Sequence, residues 1–153
     1  MIQVWRLVKK RRAAEAFNGE GAKAYGGRWN HPGTAAVYLA DSLALAALEI
    51  FVHTGAAHRG MHFVAIAVDL PDGVRIDELE ASLPTDWRDE PPPGSTKGLG
   101  TTWLKSLSAP LLRVPSAIVP VEHNLVLNPL HPDAQRLAIQ APVPFSFDSR
   151  MWK

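Results

Sequence analysis

The chain of 153 residues has no cysteine. That excludes disulfides, thiolate metal sites and a cysteine nucleophile, and it fits a reducing compartment. It has almost no net charge: sixteen Lys and Arg against fifteen Asp and Glu leave +1. A chain-wide electrostatic affinity for nucleic acid is therefore excluded, and a charge-driven partner must meet a local patch. No apolar run approaches the roughly 18–20 residues that span a bilayer. In MIQVWRLVKKRR the charges follow the apolar part, the reverse of a secretory signal. We expect a cytoplasmic protein with no membrane partner. The six histidines (31, 53, 58, 62, 123 and 131) form no His-x-x-x-His helix face and no His-Glu-x-x-His. His58 and His62 are four apart, but Arg59-Gly60 between them opposes a helix, so no metal is expected. Phosphate-loop, dinucleotide-loop and Gly-x-Ser-x-Gly signatures are also missing.

What is there fits one folded domain over residues 1–153. Apolar residues make up 46% and charged residues 20%, a globular balance that excludes wholesale disorder. Residues 2–8 (IQVWRLV) read as a first strand, ending at the basic run Lys9–Arg12, a solvated turn or helix start. Residues 17–33 hold five glycines and predict a shaped loop without helix. Residues 35–40 predict a short strand. Asp41 or Ser42 should then cap a helix over 43–53, apolar nearly all round and hence buried, with Gly55 as its stop. Residues 62–70 are the best strand in the chain, followed by a Pro-Asp-Gly turn. The Pro- and Gly-rich stretch 84–100 predicts a long mobile loop, and 101–108 a short helix around Trp103 and Leu104. Two strands, or one bent strand, follow over 111–120 and 123–129, with a helical turn or two over 131–139. The terminal VPFSFDSRMWK is apolar enough to dock on the body, on a partner or at the cleft. The sum is an α+β fold with more strand than helix: mainly antiparallel sheets with short helices.

Glu49 stands out chemically. It is the only charged residue between Asp41 and His53. A buried carboxylate costs several kcal/mol unless it is paired or faces a cleft. The plain alternative is an exposed stripe or a basic partner. Helical spacing puts Leu45, Glu49 and His53 on one side. Arg28 follows Gly26-Gly27 and precedes Trp29 and Asn30. A guanidinium beside small residues suits phosphate or carboxylate, although a loop arginine often pairs with a surface acid. Tyr38 is either core or a stacking surface for a planar ring. Ser116, after Pro115, is by itself a hydrogen-bonding filler. Trp87, Trp103 and Trp152 read most simply as core.

Together, GEGAKAYGGRWNHPG, AAVYLADSLALAALEIFVH and LLRVPSAIVPVEHNLVLNPLHP resemble the RES domain. That family's Arg, Glu and Ser match Arg28, Glu49 and Ser116, and its active-site tyrosine matches Tyr38. Its early arginine matches Arg6, and its closing Asn-Pro-x-His-Pro matches Asn128 to Pro132. The resemblance spans about residues 3–148. It implies an ADP-ribosyltransferase-like fold of the diphtheria-toxin type. It implies a toxin of a bacterial toxin–antitoxin pair that takes NAD as substrate and cleaves the nicotinamide–ribose bond. Inorganic phosphate is a possible co-substrate, and no metal is required. The partner implied is an Xre-like antitoxin that blocks the active site and carries any DNA binding. On this reading Arg28, Tyr38, Glu49 and Ser116 are catalytic. Arg6, Gly27, Arg28, Trp29, Tyr38 and Ser116 hold NAD. The residues do not choose among phosphate, water and a protein side chain as acceptor. A protein ADP-ribosyltransferase and an inactive antitoxin-binding module are the alternatives.

Overall fold

A computed structural model describes residues 2–55, 60–79 and 82–152. His58 lies outside them, and so does the side chain of Trp152. The strands are β1 (Ile2–Lys9), β2 (Val37–Ala40), β3 (Phe63–Leu70), β4 (Ile76–Glu78), β5 (Leu111–Pro115), β6 (His123–Leu127), β7 (Ala138–Ile139) and β8 (Val143–Phe145). The α-helices are α1 (Glu20–Tyr25), α2 (Leu43–Thr54) and α3 (Gly94–Ser106). Single 3-10 turns cover Lys10–Glu15, Pro132–Arg136 and Ser149–Trp152.

All eight strands join one sheet in the order β4-β5-β6-β2-β1-β3-β7, with β8 also on β3. Every pairing is antiparallel except β4 with β5. This is the expected α+β fold. β3 is apolar on both faces because both are covered. Phe63 and Ala65 pack with α2, while Val64 and Ile66 pack with the 3-10 turn after β1. That is why its sequence is a continuous apolar run rather than an alternating one.

β1 pairs with β3 from Ile2↔Leu70 to Lys9↔Phe63, but with β2 only at Trp5↔Ala40. Beyond that rung the two strands splay. A cavity opens at the gap, and Arg6 reaches across it: Nη1 donates to the Tyr38 carbonyl at 2.9 Å.

α2 starts where expected. Ser42, not Asp41, caps it, its Oγ accepting from the Leu45 N–H at 3.1 Å. Gly55 ends it, with positive φ. Burial of the whole helix is not observed. Leu45 and Ala46 are buried against the sheet, but Leu48 is 36% and Val52 54% exposed. The helix lies on the sheet, so only one face has a protein surface to meet.

Two expected loops contain helix. α1 forms inside 17–33, opened by Asn18, whose Oδ1 accepts from the Glu20 N–H. α3 begins at Gly94 rather than near 101, so the expected long loop ends at Pro93. Its glycines are tolerated because Gly100 packs directly on backbone: a Cβ there would lie 1.7 Å from the Trp29 carbonyl oxygen. Trp87 and Trp103 pack against a buried cluster of Trp29, Ala36, Leu104, Leu112, Val114 and Val126. Asn128, 2% exposed, ties that end of the sheet to α3 by donating to the Leu104 carbonyl. The C-terminal segment docks on the body. β8 pairs with β3, and Phe147 is buried edge-on against Phe63 and Phe145. Burial of such a ring contributes about 1.5–3 kcal/mol.

Candidate active site

The hairpin 26–30 is built around Asn30, which is fully buried. Gly26 turns the chain with φ 75°, and Gly27 and Asn30 exchange backbone hydrogen bonds. The Asn30 amide donates to the carbonyls of Ala22, His31 and Thr34. Its Oδ1 accepts from the Tyr38 hydroxyl at 2.6 Å. The Trp29 N–H donates in turn to that hydroxyl at 3.0 Å. A Cβ on Gly27 would sit 2.7 Å from the Tyr38 oxygen, so the glycine makes room for the phenol. Burial pushes the Tyr38 hydroxyl well above the ordinary phenol range; the Trp29 N–H and the charge of Arg28 pull the other way. The phenol is therefore a proton-bearing group at neutral pH and not a base. Trp29 is 2% exposed and belongs mainly to the core.

The hairpin delivers Arg28 to a cavity of about 1010 Å³, at the upper end of the usual ligand-pocket range of roughly 300–1,000 Å³. Arg6, Arg28, Tyr38, Glu49, Arg88 and Asn124 all border it. Arg28 is largely occupied. Nη1 donates to the carbonyls of Trp87 and Asp89, and Nη2 pairs with the exposed Glu90 carboxylate at 2.8 Å. Arg6 differs. Its Nε donates to the Ala16 carbonyl at 2.7 Å and Nη1 to Tyr38, yet no carboxylate pairs with it among the described residues. Desolvation pulls its pKa down to about 10. It is a largely buried cation with no counter-ion among the described residues, and an anionic ligand in the cavity would supply one.

Glu49 projects from α2 toward β5 and β6. Its Oε1 accepts from Ser116 Oγ at 3.0 Å and from Asn124 Nδ2 at 2.8 Å. No basic side chain pairs with it among the described residues. His53 borders the cavity one turn further along α2. Ser116 is fully buried. Its Oγ accepts from the N–H groups of Ile118 and Val119, both at 3.1 Å, so its one proton is committed to Glu49. The structure thus brings Arg6, Gly27, Arg28, Tyr38 and Glu49 to one cavity, with the mostly core Trp29 also at its wall and Ser116 behind Glu49 rather than on it. Sequence reasoning passed over Asn124, Arg88 and Lys97, which also line it. Asn124 shows only as a polar residue in a strand otherwise apolar after His123, a weak signal. Among the described residues no group of three or more His, Asp or Glu could hold a metal ion.

An α+β fold with an open cavity lined by Arg6, Arg28, Arg88 and Lys97 and by the carboxylates of Glu15, Glu49 and Glu90 can hold an organic ligand with anionic groups. The chain belongs to the RES domain family, whose model matches residues 3–148. It is 41% identical over 151 residues to "Toxin Res" of Yersinia enterocolitica, covering 98% of this chain and 99% of that protein. It is 39% identical over 152 residues to the "Prs ADP-ribosylating toxin" of a Sphingobium species, covering 96% and 94%. The fold is similar to that in the crystal structure of the M. tuberculosis MbcT–MbcA toxin–antitoxin complex. There the TM-score is 0.76 and identity 22%, over 94% of this chain and 84% of that one.

Proposed function

We propose that this protein is the toxin of a bacterial toxin–antitoxin pair and that it consumes NAD by cleaving the nicotinamide–ribose bond. The observation that carries the reading is Glu49, a carboxylate fixed through one oxygen by Ser116 and Asn124 in a cavity also bordered by the unpaired cation Arg6. Nicotinamide leaves as a neutral ring: the C1′–N bond breaks and its electron pair quenches the pyridinium charge. No strong general acid is needed. Positive charge builds on the ribose ring, as in glycoside cleavage, and Glu49 opposes it. Electrostatic stabilisation of this kind is worth about 3–4 kcal/mol in other enzymes. Arg6 would hold the pyrophosphate, with Arg28 adding charge and anchoring the wall at Trp87–Glu90. Tyr38 would face nicotinamide or its ribose. The acceptor oxygen, from phosphate, water or a protein side chain, bonds to C1′, and a water or hydroxyl acceptor gives up its proton.

The partner would be an antitoxin that covers the cavity, Xre-like in its own DNA-binding part, with both proteins in the cytoplasm. The exposed apolar Tyr25 (86%) and Val52 (54%) at the cavity's edge suit such a cover. Among the described residues no helix is long and apolar enough to cross a membrane. The second reading, transfer of ADP-ribose to a protein, is favoured by the Sphingobium relative, which is named as an ADP-ribosylating toxin.

The test follows NAD over time with and without inorganic phosphate, alongside Glu49→Ala. We expect loss of NAD with the wild type and none with the variant. Loss only with phosphate, forming ADP-ribose-1″-phosphate, identifies a phosphorylase; phosphate-independent loss identifies hydrolysis. Wild-type rates in Glu49→Ala would sink the assignment. A stable NAD pool with label moving from NAD into lysate protein would establish the second reading.

A further inference from the structure

Asn124 sits on β6, opposite Val114 of β5 and Ala40 of β2. Its Nδ2 donates to Glu49 Oε1 at 2.8 Å, while its Oδ1 is shut from solvent and has no hydrogen-bond partner. No other buried side-chain N or O among the described residues is left in that state. An orphaned acceptor of this kind costs about 1–3 kcal/mol. A leucine of nearly the same shape would avoid that cost but forfeit the hydrogen bond to Glu49, so what the asparagine supplies here is that bond.

The geometry around Glu49 does explain it. Ser116 and Asn124 both donate to Oε1, and no described residue donates to Oε2. Ser116 has no freedom to turn away, because two backbone N–H groups already occupy its lone pairs. One donor on Oε1 would leave the carboxylate free to swing about its final torsion. Two donors, from two different strand ends, fix its plane. We propose that Asn124 is a positioning residue for Glu49: with Ser116 it saturates Oε1 and leaves Oε2 as the single oxygen presented to the reacting ribose. This rests on the reading of Glu49 as the carboxylate that opposes developing charge.

Two isosteric variants test it. Asn124→Leu removes the donor and the orphaned carbonyl together. With the orphaned carbonyl relieved and the bond to Glu49 lost, it should leave the melting temperature within a few degrees of wild type, lower kcat for NAD loss about ten- to a hundredfold, and leave KM nearly unchanged. Asn124→Asp sets a second carboxylate against Glu49. Two such groups in contact cannot both ionise freely, so one proton is held to higher pH. While it keeps that proton the new carboxyl can still donate to Glu49 Oε1, and once ionised it cannot, so the rate should fall as pH rises through the pair's upper step and not recover. Other charged or titrating groups at the cavity, Glu15, Glu90, His53, Arg6, Arg28, Arg88 and Lys97, are common to both proteins, so only the difference between the two profiles is read. The carboxyl-carbon NMR signal of Glu49, assigned with Glu49→Gln, should titrate at higher pH in Asn124→Asp than in the wild type.

A wild-type kcat in Asn124→Leu would overturn the proposal. If that variant fails to fold, an unchanged pH profile and an unchanged Glu49 titration in Asn124→Asp would overturn it instead. The NMR titration needs no substrate. A wild type that leaves NAD untouched therefore defeats the reading of function while Asn124 is still judged.

Discussion

Gly98 and Gly100 lie two residues apart in α3, yet alanine should act in opposite directions at the two sites. Gly→Ala inside a helix ordinarily stabilises by about 0.5–1 kcal/mol, through helix propensity and a less flexible unfolded chain. At Gly98 nothing opposes that gain. The nearest atom to an added Cβ is the far end of His31, 4.0 Å away. At Gly100 the Cβ would lie 1.7 Å from the Trp29 carbonyl oxygen, 2.6 Å from its carbon and 2.9 Å from its Cα. All three are backbone atoms, and carbon contacts need about 3.5 Å. Relief requires a shift between α3 and the hairpin of more than an ångström. Overpacking of this kind costs about 1–3 kcal/mol. The shift also strains the Trp29 N–H to Tyr38 hydrogen bond, worth about 1 kcal/mol. The net loss is about 1–3 kcal/mol after the propensity gain. At about 2–4 °C per kcal/mol for a chain this long, the melting temperature should fall by roughly 2–12 °C in Gly100→Ala and rise by roughly 1–4 °C in Gly98→Ala. Thermal unfolding followed by circular dichroism reads both. A melting temperature at or above wild type in Gly100→Ala would refute the argument that this contact sets the helix against the site.

Arg6→Met should leave the melting temperature within a few degrees of wild type and abolish binding of an anionic ligand, read by calorimetry with ADP-ribose. Burial lowers the Arg6 pKa from the ordinary guanidinium range to about 10, which means that it costs the charged form about 3 kcal/mol, and the variant recovers that. It also strands the carbonyls of Ala16 and Tyr38, at about 1–1.5 kcal/mol each. The sign for pH follows: burial disfavours the charged form of Arg6 and lowers its pKa to about 10, so ligand affinity should fade at the alkaline end, above about pH 10. Ser116→Ala should lose about 1–3 kcal/mol in urea unfolding, because the Ile118 and Val119 N–H groups lose their acceptor. It should also slow NAD loss without changing the products.

Local chemistry was readable where a single segment decides the outcome. The apolar run of β3, the Ser42 cap and the Gly55 stop all depend on neighbours in sequence, and the structure has them where they were expected. α3 depends on a contact between segments. Its glycines argue against helix by propensity, and only the Trp29 backbone across the interface explains why Gly100 must be one. The failure at α2 was of another kind. Its length and cap were legible, but an all-apolar helix gives no stripe to say which face turns outward, and Val52 and Leu48 do. The site divides the same way. Glu49 was conspicuous as a lone charge in an apolar helix, whereas its partner Asn124 is 75 residues away and has no local signature. The Glu90 partner of Arg28 is 62 residues distant.

The single rung between β1 and β2 makes the sheet two plates joined by a seam. One plate carries β4, β5, β6 and β2; the other carries β1, β3, β7 and β8. Arg6 stitches the seam with a side chain instead of a ladder, and α2 lies across it like a strap, touching β1 on one side and β2 on the other. The Glu49 carboxylate rides on that strap while its two tethers come from the first plate alone. A slip at the seam would therefore shift Glu49 against its tethers, so the carboxylate proposed to oppose the developing charge sits where the sheet is least paired.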